Sequence, residues 1–155
     1  MNVIWIDTPL GSVRIVSSGK GVREIQFVDE EYFEDTCLDE YNKLAADEIA
    51  QYFQDTLKEF TFPMDLEGTD FQKRVWEKLT HIPFGDTRSY LSLADELGDI
   101  KAIRAVAKAN GANPIAIAVP CHRVIGSDGS LVGYAGGLYR KSWLLDLESG
   151  QRRMF

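Results

Sequence analysis

The first thirty residues alternate between apolar and polar positions in three short runs. These runs cover residues 2–6, 12–17 and 22–28, are rich in Val and Ile, and are separated by the sequences TPLG and SSGKG. Val and Ile fit the pleated, half-buried surface of a sheet, whereas Gly-rich segments form tight turns. The pattern predicts a three-stranded β meander at the start of the chain.

Helical spacing replaces this alternation after the meander. Between residues 43 and 60, apolar residues recur every four positions, which predicts one amphipathic helix. They are Ala45, Ile49, Phe53 and Leu57. The sequence FTFPMDLEGTD follows, and its Pro63 and Gly68 mark it as the expected crossing between two lobes.

More helices are predicted in the second half of the chain. Thr69 and Gln72 have the spacing of a capping box, so a helix should start there and stop before Pro83. A second helix is predicted from about residue 89 to 97. A third should follow Asp99 as its N-cap and close at Gly111.

Three later segments complete the predicted elements. IAIAVP is short and apolar, which indicates either a buried strand or an extended core segment. VIGSDGSLVGY is typical of a hairpin-like excursion. LYRKSWLLDLESG predicts a final helix with Trp143, Leu144 and Leu147 facing inward.

Together these elements predict an α+β protein with two lobes. The expected N-terminal lobe, residues 1–66, combines the small β meander with one helix. The expected C-terminal lobe, residues 67–155, is mainly helical. Within it, LADELGDIKAIRAVAKANG is a helix, a glycine turn and a second helix, which is typical of a winged helix-turn-helix-like unit.

The second helix of this unit has two different faces. Lys101, Arg104, Ala105 and Lys108 gather on one side of a helical wheel, with Ala102 and Ala109 at its margin, and Ile103, Val106 and Ala107 lie opposite. Lys and Arg neutralise phosphates, and alanines let a helix backbone approach a groove closely. The pattern indicates either a DNA-binding surface or an ordinary solvated face.

Charge is distributed unevenly along the chain. The net charge of −7 alone argues against a nucleic-acid partner. However, residues 1–69 carry 5 Lys+Arg and 15 Asp+Glu, whereas residues 70–155 carry 12 and 9, so the two parts are −10 and +3. This asymmetry indicates an acidic lobe joined to a basic working lobe, or chance combined with a need for solubility.

The chain contains no apolar run of about eighteen residues, and its start lacks a basic region followed by an apolar stretch. We therefore expect a soluble, cytoplasmic protein without a membrane partner. Cys37 and Cys121 are too few for a disulfide framework, and with His81 and His122 they do not form a zinc site of ordinary spacing. Neither a metal nor a cofactor is expected.

Cys121 lies beside His122 in the sequence IAVPCHRVIG. A cysteine attacks as its thiolate, so a reactive one needs a base or a positive neighbour. Because successive side chains of a strand face opposite ways, His122 can serve Cys121 only if the chain turns at residues 120–122 or a water bridges them. Glu148 could orient His122, and Asn113 could stiffen the turn. The alternative is a buried, inert thiol.

Several separated motifs closely resemble those of the O6-alkylguanine-DNA alkyltransferases, also called methylated-DNA–protein-cysteine methyltransferases. In order, they are FQKRVWEKLTHIPFGDTRSYLSLA, IRAVAKANGANPIAIAVPCHRVIGSDGSLVGYAGGL and KSWLLDLE. The resemblance covers residues 71–148 densely, and the N-terminal lobe fits the family's two-lobe plan without a signature. It implies a monomer whose Cys121 takes the alkyl group from O6 of guanine in double-stranded DNA, once per molecule.

The resemblance also implies roles for individual residues. His122 and Glu148 would form a relay through water, Asn113 would steady the turn, and Tyr90 would donate to guanine N3. Arg104 would fill the space left by the flipped nucleotide. The implied DNA-binding residues are Arg104, Tyr90, Lys101, Ala105, Lys108 and Ser127. The implied base pocket consists of Tyr90, Val124, Tyr134, Ala135 and Gly136. Acceptance of O4-alkylthymine stays open.

Other classes of protein explain less of this pattern. Relatives that bind alkylated guanine without repairing it lack the cysteine, so Cys121 argues against a pure binding module. A thiol hydrolase would need an oxyanion hole and would leave the basic helix unexplained. A winged-helix regulator should show base-reading side chains on that helix. We therefore expect a DNA repair alkyltransferase.

Overall fold

The computed structural model describes residues 1–29, 36 and 38–150. Cys37 and most of the acidic stretch around it lie outside the described residues. The chain divides into two compact units: Met1–Glu67 with Pro114–Ala118, and Gly68–Asn113 with the chain from Val119 onward. One unit is a sheet with a helix and the other is mainly helical, which confirms the predicted α+β class.

An antiparallel sheet ordered β1–β2–β3 forms the base of the first unit. Strand β1 spans Asn2–Thr8, β2 spans Gly11–Ser17 and β3 spans Val22–Val28. Val13, Ile15 and Ile25 are fully buried, and Ile15 pairs with Ile25 across β2 and β3. Since alternate positions face the same side, one face of the predicted meander carries the core.

Helix α1, Glu40–Phe53, packs against this sheet. Its side chains Ala45 and Ile49 are fully buried, as the four-residue spacing predicts. The helix ends at Phe53, so its predicted extension to residue 60 is wrong. Asp55 has a positive φ of 60°, a left-handed conformation that ends a helix.

The segment Pro114–Ala118 also belongs to the first unit. Ile115 forms a single parallel bridge to Ile25. The chain then turns, and Ile117 has a positive φ of 73°. Both Ile115 and Ile117 are buried. IAIAVP is therefore a buried core segment as predicted, but it turns, so neither the strand nor the extended conformation is right.

Helices and two short strands form the second unit. The helices are α2 (Asp70–Thr80), α3 (Tyr90–Glu96), α4 (Ile103–Gly111) and α5 (Leu138–Ser149), and the parallel strands are β4 (Arg88–Ser89) and β5 (Val124–Ile125). Helices α2 and α3 both pack against α4. Trp76 Nε1 of α2 donates to the carbonyl of Ala109 in α4 at 2.9 Å. The capping box that starts α2 at Thr69 is present as predicted.

Two predicted details of this unit are wrong. Asp99 is the N-cap and Gly111 is the last residue of α4, as predicted, but the first turn after Asp99, Ile100–Ala102, is a 3₁₀ helix. Strand β5 pairs with the distant β4, so VIGSDGSLVGY forms no hairpin. Its residues 126–130 instead close a tight turn, in which the amide of Gly126 donates to the carbonyl of Ser130 at 2.8 Å. Among the described residues, no helix is long and apolar enough to cross a membrane.

Candidate active site

Cys121 begins a short 3₁₀ helix, Cys121–Arg123, directly after Pro120. The amide of Cys121 donates to the carbonyl of Val119 at 2.8 Å, so the chain turns at this point. Cys121 is 8% exposed and His122 is 0% exposed. The turn removes the strand geometry in which these two side chains would face opposite ways.

A buried carboxylate holds the histidine. His122 Nε2 and Glu148 Oε2 lie 2.7 Å apart. Glu148 projects from α5, and Arg123 donates to it from Nε at 2.7 Å and from Nη2 at 3.0 Å. Arg123 also donates to the carbonyl of Ile82 at 2.6 Å. This two-point, charge-assisted contact fixes the orientation of the carboxylate.

The ionisation of this pair follows from its surroundings. Burial opposes ionisation of Glu148, but the hydrogen bonds and charges of His122 and Arg123 outweigh it and lower its pKa to about 2. Burial lowers the pKa of His122, against the effect of Glu148. The pair near neutral pH is therefore a carboxylate and a neutral imidazole whose Nε2 carries the proton. Nδ1 then bears a lone pair, and it has no hydrogen-bond partner among the described residues.

Side-chain amides restrain the turn around the sulfur. Asn113 Nδ2 donates to the carbonyl of Val119 at 2.7 Å. Asn110, which the sequence analysis did not single out, donates to the carbonyl of Cys121 at 3.3 Å. Burial raises the pKa of the Cys121 thiol, whereas the hydrogen bond from Asn113 and the charge of Lys141 act in the opposite direction.

Lys141, like Arg123 and Asn110, is a residue of the site that the sequence analysis did not identify. Its side chain is fully buried in α5. Nζ donates to the carbonyls of Val124, Val132 and Gly133 at 2.6, 3.1 and 3.2 Å. A lysine in a helix usually faces solvent, so the amino-acid sequence alone does not predict that Lys141 is buried.

Three of the five predicted pocket residues lie close to Lys141 or interact with the charge at Cys121. The hydroxyl of Tyr90 donates to the carbonyl of Val132 at 2.9 Å, and Val124 is buried. Burial raises the pKa of both Tyr90 and Tyr134, and the charge at Cys121 raises it further. The other two, Ala135 and Gly136, are exposed and half-buried on the following loop.

The four residues of the predicted basic face are all exposed: Lys101, Arg104, Ala105 and Lys108. Two details of the wheel are wrong, because Ala107 is exposed and Ala109 is buried. The buried stripe of α4 is Val106, Ala109 and Asn110, an i, i+3, i+4 set. Ser127 is exposed in the 126–130 turn. In the described part of the chain, neither Arg104 nor Ser127 has a hydrogen bond to Cys121, His122 or Glu148.

Fold and site together define a class of protein. A buried thiol lies beside a carboxylate-held imidazole, in the same unit as an exposed basic helix. No group of three or more His, Cys, Asp or Glu side chains in the described ranges is arranged to hold a metal ion. The class is thus a two-unit α+β protein whose second unit contains a buried cysteine and a histidine held by a carboxylate.

Comparison with protein families makes the assignment specific. Residues 70–150 match the DNA binding domain of 6-O-methylguanine DNA methyltransferase, and residues 3–66 match the ribonuclease-like domain of the same protein. The chain belongs to the 6-O-methylguanine DNA methyltransferase family. The resemblance inferred from the motifs is confirmed.

Relatives match along nearly the whole chain. The methylated-DNA–protein-cysteine methyltransferase of Mycobacterium tuberculosis is 45% identical over 150 residues, covering 94% of this chain and 91% of its own. That of Methanosarcina barkeri is 42% identical over 153 residues, covering 96% and 97%. The crystal structure of Mycobacterium tuberculosis OGT in complex with DNA has a TM-score of 0.87 at 44% identity, covering 96% of this chain and 93% of that one.

Proposed function

We propose that this protein repairs DNA by transferring an alkyl group from O6 of guanine to its own Cys121, once per molecule. The observation that carries the proposal is the buried 2.7 Å contact between His122 and Glu148, because His122 directly follows Cys121 in the same short 3₁₀ helix. Its relatives are methylated-DNA–protein-cysteine methyltransferases, and one was solved with DNA. The proposed partner is double-stranded DNA that contains O6-alkylguanine, bound by a monomer.

Proton transfer prepares the sulfur for attack. Glu148 keeps the proton of His122 on Nε2, so Nδ1 is the basic atom of the imidazole. A buried polar atom of this kind is well suited to a bridging water. The thiol proton passes through such a water to Nδ1, and the carboxylate of Glu148 stabilises the resulting imidazolium. Asn113 hydrogen-bonds the thiol and favours the anion.

The transfer itself is an in-line displacement. The Cys121 thiolate attacks the alkyl carbon, so a sulfur–carbon bond forms and the carbon–O6 bond breaks. Guanine leaves with the electron pair of that bond and needs one proton, which Tyr90 donates at N3. The proton released by the thiol replaces it through solvent. Because the thioether is inert, the protein ends alkylated.

The exposed basic face supplies the proposed DNA contacts. The target atom lies inside a stacked duplex, so the nucleotide must be flipped out before a buried thiol can reach it. Lys101 and Lys108 bind phosphates, Ala105 allows close approach, and Arg104 occupies the space left by the base. Ser127 contacts DNA from the neighbouring turn.

The base pocket and the domain assignment complete the proposal. Tyr90, Val124 and Tyr134 surround the flipped base, and the loop at Ala135 and Gly136 bounds it. Residues 1–66 are the N-terminal domain, and residues 67–155 are the DNA-binding and alkyl-acceptor domain. A free thiol acceptor requires a reducing compartment, so we place the protein in the cytoplasm.

The test is a mass measurement on duplex DNA that carries one O6-methylguanine. The peptide containing Cys121 should gain roughly 14 mass units, one CH2, and the reaction should stop at one equivalent. Cys37→Ser is the matched control, because it removes the other thiol and should leave transfer intact. Repeated turnover, or a mass gain elsewhere in the chain, would contradict the proposal.

A further inference from the structure

Lys141 carries a buried positive charge with three neutral hydrogen-bond acceptors. Its exposure is 0%, and Nζ donates to the backbone carbonyls of Val124, Val132 and Gly133. Within the described residues, no salt bridge includes Lys141. Burying a charge is expensive unless an opposite charge accompanies it. A negative charge near Lys141 would therefore offset the cost of burying its ammonium group.

The buried charges of the second unit do not balance. Among its described residues, Arg123, Arg140 and Lys141 are buried cations, whereas Glu148 is the buried anion. Glu148 is bound by Arg123 through two hydrogen bonds. Arg140 donates to a backbone carbonyl at 3.0 Å and lies over the exposed ring of a tyrosine at 5.2 Å. Lys141 itself donates to neutral carbonyls in the described residues, so a negative charge at a further buried group would stabilise it.

Cys121 is the buried group that can supply this charge. The carbonyl that lies nearest to Lys141 Nζ, at 2.6 Å, belongs to Val124, three residues beyond the cysteine. Nζ also lies 5.9 Å from the ring centroid of Tyr90, and the charge at Cys121 acts on the phenol of that residue. The effect is mutual, since Lys141 opposes the rise in the pKa of Cys121 and Cys121 opposes the fall in the pKa of Lys141 that burial causes.

We propose that Lys141 is the buried counter-charge of the Cys121 thiolate, a positioning residue that sets the reactivity of the acceptor. The inference rests on the proposed function only in taking Cys121 as the reacting sulfur. The other titratable groups that interact with the charge at Cys121 are the neutral phenols of Tyr90 and Tyr134, and the neutral imidazole of His122 follows it in the chain. Glu148 is already bound by a cation.

The test measures the reactivity of Cys121 without DNA. Iodoacetamide alkylates a thiolate: a sulfur–carbon bond forms and iodide leaves. The rate is followed against pH by the mass of the Cys121 peptide in wild type, Lys141→Met, Lys141→Arg and Lys73→Met, the last being an exposed control in the same unit. Lys141→Met should react about tenfold more slowly at pH 7, with its profile moved to higher pH. Lys141→Arg and Lys73→Met should keep the wild-type profile.

Two results would overturn the inference. One is a wild-type profile for Lys141→Met. The other is an equally slow reaction with iodoacetamide in Lys141→Met and Lys141→Arg. Loss of the hydrogen bonds to the three carbonyls, and not loss of the charge, would then be the cause. Should Lys141→Met fail to fold, NMR titration of the Lys141 ammonium decides the matter. Its pKa should be lower in Cys121→Ala than in wild type, and equal values would refute the coupling.

The same experiments separate this inference from the proposed function. A protein that shows the expected iodoacetamide profiles, yet takes no methyl group from O6-methylguanine in DNA, would refute the repair function and leave the role of Lys141 standing. A protein that accepts the methyl group, but whose iodoacetamide profile is the same with and without the charge at position 141, would refute the role of Lys141 and leave the repair function standing.

Discussion

Replacing Glu148 with Gln removes a buried anion while keeping the size of the side chain. Arg123 would then lie buried without its counter-charge, and the amide nitrogen of Gln would compete for the same space. Removing one partner of a buried ion pair costs about 3–5 kcal/mol of unfolding free energy. The pKa supports this size, since a fall from 4.5 to about 2 at about 1.36 kcal/mol per unit corresponds to about 3 kcal/mol.

The lowered pKa of Glu148 determines how the free energy of unfolding changes with pH. A carboxyl group whose pKa is lowered by folding stabilises the protein above its unfolded pKa, and that contribution is lost as the pH falls through the folded pKa. Wild type and Glu148→Gln should therefore differ by about 3 kcal/mol at pH 7 and above about pH 4.5, and converge towards pH 2. Buried His122, whose pKa is also lowered, adds a separate loss of stability that begins as the pH falls below 6.5.

The assay is urea unfolding, followed by tryptophan fluorescence, at several pH values between 7 and 2.5. Trp76 is buried in α2 and reports on the second unit. Glu77→Gln, an exposed change on the same helix, is the matched control and should stay within about 0.5 kcal/mol of wild type at every pH. A difference between wild type and Glu148→Gln that stays constant from pH 7 to pH 2.5 would refute the ionisation argument.

Two further predictions concern the reaction with DNA. Cys121→Ala should bind duplex DNA in a gel-shift assay while accepting no alkyl group, and loss of both would indicate a mainly structural thiol. Arg104→Ala should slow the repair of O6-methylguanine in duplex DNA much more than reaction with the free alkylguanine base, because only the duplex requires the nucleotide to be flipped out. Equal slowing on both substrates would contradict this assignment.

Local periodicity was enough to predict most of the fold. The strands β1, β2 and β3 and the cap at Thr69 depend on neighbours within a few residues, and they occur where the spacing predicted them. The errors arise where contacts between residues far apart in the sequence determine the secondary structure. The end of α1 depends on a left-handed residue at Asp55, and β5 pairs with a strand that lies 36 residues earlier in the chain. Neither feature has a short-range signature.

The site was predicted in part. The motif around Cys121 and His122 pointed to the reactive turn, the need of a working histidine for an orienting acid pointed to Glu148, and the family resemblance implied the same residue. The sequence analysis missed three members of the site: Arg123, Asn110 and Lys141. The type of a polar residue does not show whether its side chain is buried or exposed to solvent. Only the tertiary structure shows that Arg123 binds Glu148 through two hydrogen bonds.

The start of α5 inverts the usual relation between polarity and burial. Leu138 and Tyr139 are 47% and 63% exposed, whereas Arg140 and Lys141 are 4% and 0% exposed. Selection for stability alone would favour the opposite arrangement, because burying cations costs free energy that burying Leu and Tyr would return. Sites that break such a local rule are where function is expected. The inversion is accounted for if the buried charge is needed to hold a sulfur anion, which requires a cation away from solvent screening.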